Sequence, residues 1–284
     1  MKLGFLGLGN MGRRMASRLI NAGIDIRVWN RSPGQVAALA KAGAALAQTP
    51  AEAASEADIV ISMVRDDAAS QEVWTGAAGA AQALRKDAIA IEMSTLTPDW
   101  SRELGATLAA QGCSYMEAPV AGSLPQAEAG QLIVLAGGAA PVVAQAAPVL
   151  DILAGKTLHI GDVGSGAAFK LAVNALFGIQ VAAMGELLAG MQAQGVPVAR
   201  AAELLSDLPV TSAAAAGAAG MIANAAYAPL FPIDLVVKDF AYAHSAFAAG
   251  TAMPLLAATA ARYSEALDFG LGSENINAVA KLSG

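Results

Sequence analysis

A lysine and an asparagine stand one helical turn apart in an otherwise apolar stretch, GDVGSGAAFKLAVN at residues 161–174. A lysine in such surroundings loses hydration of its charged form, which lowers its pKa toward the working pH and suits it to general acid–base catalysis. Asn174 follows Lys170 at i+4, so both side chains share one helix face and could hold a carbonyl or hydroxyl oxygen together. The alternative is that the stem of Lys170 packs on apolar surface while its ammonium reaches solvent.

A glycine-rich segment near the start of the chain, GLGNMG, has the G-x-G-x-x-G spacing of dinucleotide-binding loops. Gly7 allows a tight turn, Gly9 lets the backbone approach a pyrophosphate, and Gly12 lets a helix pack closely on a strand. The helix that starts here offers free amides to phosphate groups. We predict cofactor contacts from the whole loop, rather than a glycine-rich turn in an unrelated α/β fold. The further predicted contacts of this loop are Leu8, Asn10 and Met11.

The residues after the second β-rich run indicate which nicotinamide cofactor is bound. An NAD enzyme usually has an acidic residue there, which binds the ribose 2′-hydroxyl. This chain has Asn30, Arg31 and Ser32 instead. An arginine can bind a 2′-phosphate and stack on adenine, while Asn30 and Ser32 can donate hydrogen bonds. The sequence therefore favours NADP (NADPH), and the alternative for Arg31 is a solvated surface arginine.

The elements that must position these residues alternate between short apolar runs and helix-like stretches in the first half of the chain. This alternation is typical of βαβ units and of a doubly wound α/β sheet. The near-continuous apolar run DIVISMV is expected of a parallel strand that is covered on both faces. The predicted strands are Lys2–Leu6, Asp25–Trp29, Asp58–Val64, Ala88–Met93 and Leu132–Ala136, and the predicted helices are Met11–Ala22 and Val36–Ala42.

The pattern changes after Gly161, and from Ser165 onward no segment reads as a strand. Residues Ala167 to Gln194 form one helical stretch of about 42 Å, at 1.5 Å per residue, which is too long for a helix packed on one sheet. We therefore predict a long interdomain helix that opens an all-α second domain. The turn-forming stretch GDVGSG marks the boundary, which gives a dinucleotide-binding domain at 1–161 and a helical substrate and oligomerisation domain at 162–284.

The composition first raises the question of a membrane protein. Of 284 residues, 56% are hydrophobic and 14% charged, the net charge is −6, and the mean hydropathy is +0.51. Two uncharged runs, Leu208 to Ile233 and Phe240 to Ala261, are long enough to span a bilayer. Both consist mainly of small residues and contain prolines, which would leave backbone groups unpaired in lipid. We expect buried alanine-rich helices, no membrane partner and, from the N-terminal pattern, no signal peptide.

Other classes are excluded quickly. An acidic chain with 5% aromatic residues is not expected to bind nucleic acid. A single cysteine, Cys113, excludes an internal disulfide and a cysteine-based zinc site. Two histidines, His159 and His244, do not suggest a metal centre. A reducing, cytoplasmic location fits these features best.

Four segments resemble the β-hydroxyacid dehydrogenase family, and within it the glyoxylate and succinic semialdehyde reductase branch. They are GFLGLGNMG at 4–12, EAPVAGSLPQAEAGQL at 117–132, GDVGSGAAFKLAVN at 161–174 and FPIDLVVKDFAYA at 231–243. They occur in the family's order and cover nearly the whole chain. The resemblance implies an N-terminal Rossmann domain, a long interdomain helix, an all-α C-terminal domain, and hydride transfer between NAD(P)H and the carbonyl of a small acid.

The resemblance also implies roles for individual residues. Lys170 matches the family's catalytic lysine, which protonates the developing alkoxide during reduction, and Asn174 matches an asparagine that holds the substrate. Thr95 matches a position that lines cofactor and substrate, and Gly122 and Ser123 match the loop that cradles the substrate carboxylate. The remaining matches are Phe231 and Asp239, which close the substrate site, and Lys238, which lies near the cofactor. Met63 and Val64 are also predicted to contact the cofactor. The plainer alternatives are a core role for Phe231 and a surface ion pair for Lys238 and Asp239.

One position departs from the family. Its substrate loop commonly has a serine where this chain has Ala121. A missing hydrogen bond to a charged group costs about 1.5–3 kcal/mol of binding. Either Ser123, Thr95 or water compensates, or the preferred substrate differs from the usual small acids.

The leading interpretation is an NADPH-dependent reductase of glyoxylate, succinic semialdehyde or tartronate semialdehyde type. The alternatives are a dehydrogenase of 3-hydroxyisobutyrate or another β-hydroxyacid, an imine reductase, and a non-catalytic dinucleotide-binding protein. The retained Lys170 disfavours the last two, because imine reductases of this architecture usually have Asp or Tyr at that position. We expect a homodimer or homotetramer.

Overall fold

A computed structural model describes residues 1–32, 34, 36–248 and 250–283. The chain divides into two compact units, Met1–Lys170 and Leu171–Gly284. The sequence instead predicts a boundary between residues 161 and 162. The first turn of the long helix packs on the strands, which explains why it groups with the sheet unit, and the functional division at 161 stays a prediction.

The first unit is built on a mixed sheet of nine strands in the order β3-β2-β1-β4-β5-β6-β8-β7, with β9 paired to β8. Strands β1 to β6 are parallel to one another, whereas β8 runs antiparallel to β6 and β7 and parallel to β9. The strands are Lys2–Leu6 (β1), Asp25–Trp29 (β2), Ala45–Leu46 (β3), Ile59–Ser62 (β4), Ile89–Glu92 (β5), Ser114–Glu117 (β6), Val120–Ala121 (β7), Leu132–Gly137 (β8) and Ala154–Gly161 (β9).

Seven helices in the described residues of the first unit connect these strands, which confirms the predicted α/β class. They are Gly12–Asn21 (α1), Ala37–Lys41 (α2), Pro50–Ala54 (α3), Asp67–Thr75 (α4), Pro98–Ala110 (α5), Leu124–Ala129 (α6) and Ala140–Leu153 (α7), with a short 3₁₀ helix at Ala80–Gln82. Two predicted strands are too long. Residues 63–64 and 93 lie beyond the ends of β4 and β5, so the side chains of Met63 and Val64 belong to a loop.

Both faces of the sheet are covered by apolar cores, which explains the continuous apolar runs. Alternate side chains of a strand point to opposite faces. Phe5 and Ile61 therefore join one buried cluster, and Leu6 and Val60 join the other. The sequence missed β9 because its residues, AGKTLHIG, are mostly half-exposed or exposed and give no apolar signal.

The second unit is all-helical in its described residues, as predicted. The long helix Ser165–Ala193 (α8) begins in the first unit and continues into the second. The helices that follow are Val198–Ser206 (α9), Ala213–Ala223 (α10), Ile233–Phe247 (α11) and Pro254–Ala266 (α12), then a π-helical turn at Leu267–Leu271 and a 3₁₀ helix at Ile276–Leu282.

The core of the second unit is built around two aromatic rings. Phe240 and Tyr263 lie with ring centroids 5.5 Å apart, and the Tyr263 hydroxyl donates to the Gly178 carbonyl over 3.0 Å. A Cβ on Gly178 would lie 2.4 Å from the Phe240 ring, so glycine permits this close packing of α8 on α11.

One described helix, α8, is long and apolar enough to cross a membrane by length and composition. Half of its most apolar window is buried inside the protein, and the core helices of soluble proteins pass the same test. The two runs that raised the membrane question do not form single long helices. The first contains only the 11-residue α10, and the second is divided between α11 and α12.

Candidate active site

The glycine loop between β1 and α1 has the geometry that a dinucleotide requires. Gly7 has a φ of +95°, and a Cβ there would lie 2.3 Å from the Met63 carbonyl oxygen. A Cβ on Gly12 would lie 2.0 Å from the Gly7 carbonyl oxygen, whereas the space at Gly9 is open. Thus Gly7 and Gly12 allow the turn and the close packing of the helix, and Gly9 leaves room for a pyrophosphate.

The start of α1 has no side-chain cap, although the Arg13 and Arg14 amides already donate to the Gly9 and Met11 carbonyls. Met11 occupies the N-cap position without a side-chain hydrogen bond to the helix, and the first turn contains no acidic residue. Asn10 is exposed beside it. Because the N-terminus of a helix carries partial positive charge, this end fits the phosphates of a nicotinamide dinucleotide.

Asn30 joins the glycine loop to the loop after β2. Its Oδ1 accepts from the Leu8 amide over 2.9 Å, and its Nδ2 donates to the Ser32 carbonyl over 2.9 Å. The side chain that sequence analysis assigns to a phosphate therefore also holds two cofactor loops together. Arg31 and Ser32 are exposed beside it, and contact of all three with the cofactor stays a prediction.

A second pair of loops, at the carboxyl ends of β4 and β5, contains Met63, Val64 and Thr95. All three residues are half-buried. The Val64 amide donates to the Ser94 hydroxyl over 2.7 Å, which ties the two loops together. In sheets with this strand order, a dinucleotide lies across the carboxyl ends, with one half over each side of β1. These loops are therefore placed to contact the half of the dinucleotide that lies on the other side of β1 from Arg31.

Sequence analysis missed a buried carboxyl that supports these loops. Glu92, at the end of β5, accepts from the Ser94 amide over 2.9 Å, from the Ser70 hydroxyl over 2.7 Å and from Trp74 Nε1 over 2.9 Å. Burial raises the pKa of the Glu92 carboxyl despite these hydrogen bonds. An acidic residue in the apolar run IAIE was the available signal.

The predicted substrate loop follows β7. Gly122 has a φ of +119°, in the region that favours glycine. Ser123 occupies the N-cap position of α6, and its amide donates to the Gln126 side chain over 2.9 Å. The Ser123 hydroxyl is buried and belongs to a capping box with Gln126 at the start of α6, and its contact with the substrate stays a prediction. Ala121 is half-buried in β7.

Lys170 and Asn174 lie on α8, as predicted, and both are buried. Lys170 is 9% exposed and Asn174 is 8% exposed. The burial of Lys170 argues against the alternative in which its ammonium reaches solvent. The predicted lowering of the Lys170 pKa stays a prediction.

Three predicted residues of the second unit form one buried polar group. Asn174 Nδ2 donates to Asp239 Oδ2 over 2.6 Å, and Lys238 Nζ lies 2.8 Å from Asp239 Oδ1. Lys238 Nζ also lies 4.7 Å above the Tyr242 ring centroid. The Lys238–Asp239 pair is therefore largely buried. This burial argues against the alternative of a surface ion pair. Asp239 orients Asn174, and its contact with substrate stays a prediction.

Phe231 precedes α11 and is half-buried against the core of the second unit. Its amide donates to Asn275 Oδ1 over 2.9 Å, and its carbonyl accepts from the Ile276 amide over 2.8 Å. The packing of the Phe231 side chain on this core agrees with the alternative of a core aromatic residue. That Phe231 closes the substrate site stays a prediction.

A cleft of about 390 Å³ lies in the second unit and contains none of the predicted site residues. It is lined by Leu188, Gln192, Tyr227 and Lys281, among others. The Lys281 ammonium already pairs with Glu274 and stacks on Tyr227. No group of metal-ligating residues occurs in the described part of the chain.

The strand order, the glycine loop and the buried lysine define a nicotinamide-dinucleotide oxidoreductase with an α/β unit and a helical unit. Two family models match the chain. Residues 2–161 match the NAD-binding domain of 6-phosphogluconate dehydrogenase, and residues 164–283 match a model described as NAD-binding of NADP-dependent 3-hydroxyisobutyrate dehydrogenase. The chain belongs to the β-hydroxyacid dehydrogenase family of NAD(P)-dependent oxidoreductases.

Individual relatives cover nearly the whole chain. It is 31% identical to glyoxylate/succinic semialdehyde reductase 1 of Arabidopsis thaliana, over 98% of this chain and 97% of that protein. It is 32% identical to 3-sulfolactaldehyde reductase of Escherichia coli, over 98% and 94%. The structure of 3-hydroxyisobutyrate dehydrogenase from Mycobacterium tuberculosis with L-serine has a TM-score of 0.91 at 29% identity, covering 99% of this chain and 98% of that chain.

Proposed function

We propose that this protein uses NADPH to reduce the carbonyl of a small aldehyde or keto acid, such as glyoxylate, succinic semialdehyde or tartronate semialdehyde. The observation that carries this proposal is the burial of Lys170 one turn before Asn174 on α8. The relatives named as reductases of glyoxylate, succinic semialdehyde and 3-sulfolactaldehyde support a small carbonyl substrate.

The cofactor, when bound, supplies a hydride to the carbonyl carbon. Lys170 donates a proton to the carbonyl oxygen as negative charge develops there, and the neutral amine is later reprotonated from solvent. Asn174 hydrogen-bonds the same oxygen or another oxygen of the substrate. Asp239 fixes the orientation of the Asn174 amide. Because reduction adds one hydride and one proton, a protonated lysine completes the reaction without a metal ion.

The proposed preference for NADPH rests on the loop after β2. No acidic residue follows that strand, and Arg31 is exposed with its guanidinium able to bind a 2′-phosphate. Asn30 holds this loop against the glycine loop.

The test is a panel of short aldehydes, keto acids and cyclic imines, with NADPH oxidation followed by absorbance. We expect turnover of at least one small carbonyl acid, with NADPH used better than NADH at matched substrate. Turnover of imines alone would contradict the proposal. NADPH binding without turnover of any compound would favour a non-catalytic dinucleotide-binding protein.

A second candidate is oxidation of a β-hydroxyacid such as 3-hydroxyisobutyrate. The solved structure of 3-hydroxyisobutyrate dehydrogenase, with a TM-score of 0.91, favours it. Rates of 3-hydroxyisobutyrate oxidation with NAD and NADP discriminate the two. Faster oxidation with NAD than reduction of any aldehyde with NADPH would favour this second function.

We further propose a homodimer or homotetramer that works in the cytoplasm without a nucleic-acid or membrane partner. Large apolar side chains of the helical unit, including Leu187, Leu204 and Leu255, are exposed and would be buried by association. Light scattering at micromolar concentration tests the assembly, and a monomer would contradict it.

A further inference from the structure

Glu117 is the last residue of β6, and its side chain lies against the start of α8. Its Oε1 accepts from the backbone amides of Gly164 and Gly166 over 2.6 and 3.1 Å. Only 1% of Glu117 is exposed. The first amides of a helix have no partner within the helix, and negative charge is favoured beside them. Glu117 therefore anchors α8 from a position 47 residues before Gly164.

Two glycines leave the space that this contact needs. A Cβ on Gly137, at the end of β8, would lie 2.1 Å from Glu117 Oε1 and 2.8 Å from the Gly166 nitrogen. A Cβ on Gly166 would lie 2.5 Å from the Leu135 carbonyl oxygen. Neither glycine has a positive φ, so backbone conformation does not demand them. Glycine is required at both positions because the Glu117 carboxyl, β8 and α8 approach one another closely.

The contact carries a cost in folding free energy. Glu117 Oε2 is buried without a hydrogen-bond partner among the described residues. Burial raises the pKa of the Glu117 carboxyl, although backbone amides of the first turn of α8 oppose this shift. A buried carboxyl with one unused oxygen is a poor way to stabilise a core. The contact instead fixes the position of the first turn of α8.

We propose that Glu117 is a positioning residue for Lys170, because it fixes the first turn of α8 and hence the lysine one turn later. The proposal rests on the proposed catalytic role of Lys170. Lys170 is four residues after Gly166 on a continuous helix, so a shift of the first turn moves the lysine with it. A displacement of about 1 Å at a reacting group can lower a rate roughly 100-fold.

The test uses Glu117→Ala, Glu117→Gln and Gly137→Ala, with Gly190→Ala as the control. Gly190 lies in α8 with open space around it, so its substitution adds a methyl group to the same helix without a collision. Three quantities are measured on each folded variant: amide hydrogen exchange of residues 162–172, kcat with the best substrate, and the Kd of NADPH from its fluorescence.

We expect Glu117→Ala and Gly137→Ala to speed exchange of residues 162–172 and to lower kcat roughly 100-fold, with the Kd of NADPH within about threefold of wild type. Glu117→Gln keeps an acceptor oxygen and should recover most of kcat. Gly190→Ala should change none of the three quantities. If Glu117→Ala or Gly137→Ala does not fold, the milder Glu117→Asp, whose carboxyl is one methylene shorter, still gives all three measurements and should speed exchange and lower kcat in the same direction.

Three results would overturn the proposal. Unchanged exchange in residues 162–172 would show that Glu117 does not hold the helix start. Faster exchange with unchanged kcat, or an equal loss of kcat and NADPH affinity, would show that it does not position the lysine. The failure of the proposed function is seen separately, because Lys170→Ala would then retain full activity whatever the exchange data show.

Discussion

The Asn174 amide donates to the Asp239 carboxylate over 2.6 Å, and both side chains are buried in the helical unit. An asparagine amide has an acceptor oxygen and two donor hydrogens. Because one hydrogen points to Asp239, the amide has a fixed orientation, with its oxygen turned away from the carboxylate. Lys238 approaches the other oxygen of the same carboxylate and completes its pairing.

We therefore predict that Asp239 acts through Asn174. Asp239→Asn and Asn174→Ala should each lower kcat about tenfold or more, since a hydrogen bond to a charged group contributes about 1.5–3 kcal/mol. The double variant should be no slower than Asn174→Ala, because the second change removes nothing further. Steady-state kinetics of the four proteins makes this comparison. Asp268→Asn, an exposed change in the same unit, is the control, and multiplicative losses in the double variant would show that the residues act independently.

Arg31 is predicted to determine the preference for NADPH. Arg31→Ala should lower kcat/KM for NADPH roughly 10- to 100-fold, the equivalent of about 1.5–3 kcal/mol for a charged hydrogen bond, and should leave kcat/KM for NADH within about threefold. Arg200→Ala removes another exposed arginine, from the helical unit, and serves as the control. An equal effect on both cofactors would mean that Arg31 does not contact the 2′-phosphate.

Ala121 is predicted to weaken the binding of small carboxylate substrates. Ala121→Ser introduces the hydroxyl that the family usually has, and should raise kcat/KM for glyoxylate about tenfold, since one such hydrogen bond is equivalent to at least 1.5 kcal/mol. Ala129→Ser, an exposed change on the nearby α6, should have no effect. If Ala121→Ser also has none, the substrate carboxylate does not lie at this position.

Glu92 is predicted to make folding stability pH-dependent. Because burial raises the pKa of its carboxyl in the folded state, the native protein binds the proton more tightly than the unfolded chain. Its contribution to stability is therefore present below the unfolded pKa and is lost as pH rises through the raised native pKa. Urea unfolding at several pH values should show wild type gaining stability over Glu92→Gln as pH is lowered. If the difference in unfolding free energy between wild type and Glu92→Gln does not change with pH, the prediction is wrong.

Sequence patterns predicted the parts of this protein that depend on local order along the chain. The strands at 2–6 and 25–29 were found with their observed bounds, since apolar runs between turns define them. The glycine loop was found because each of its glycines has a separate steric reason. Lys170 and Asn174 were predicted to share one helix because few polar residues interrupt that apolar stretch, and both lie on α8.

Two of the missed features are contacts between residues that are distant along the chain. Glu117 meets Gly164 47 residues later, and Asn174 meets Asp239 65 residues later. No periodicity records such pairs. The same limit explains the antiparallel pairing of β8, because an apolar run does not specify the direction in which a strand enters the sheet.

The most direct measurement of the central claim is the kcat of Lys170→Ala with NADPH and the best substrate of the panel, alongside the Kd of NADPH. General acid catalysis contributes about 10²- to 10⁴-fold, so we predict a loss of that size in kcat with the Kd within about threefold of wild type. Unchanged turnover in Lys170→Ala would contradict the account, because another group would then protonate the product oxygen.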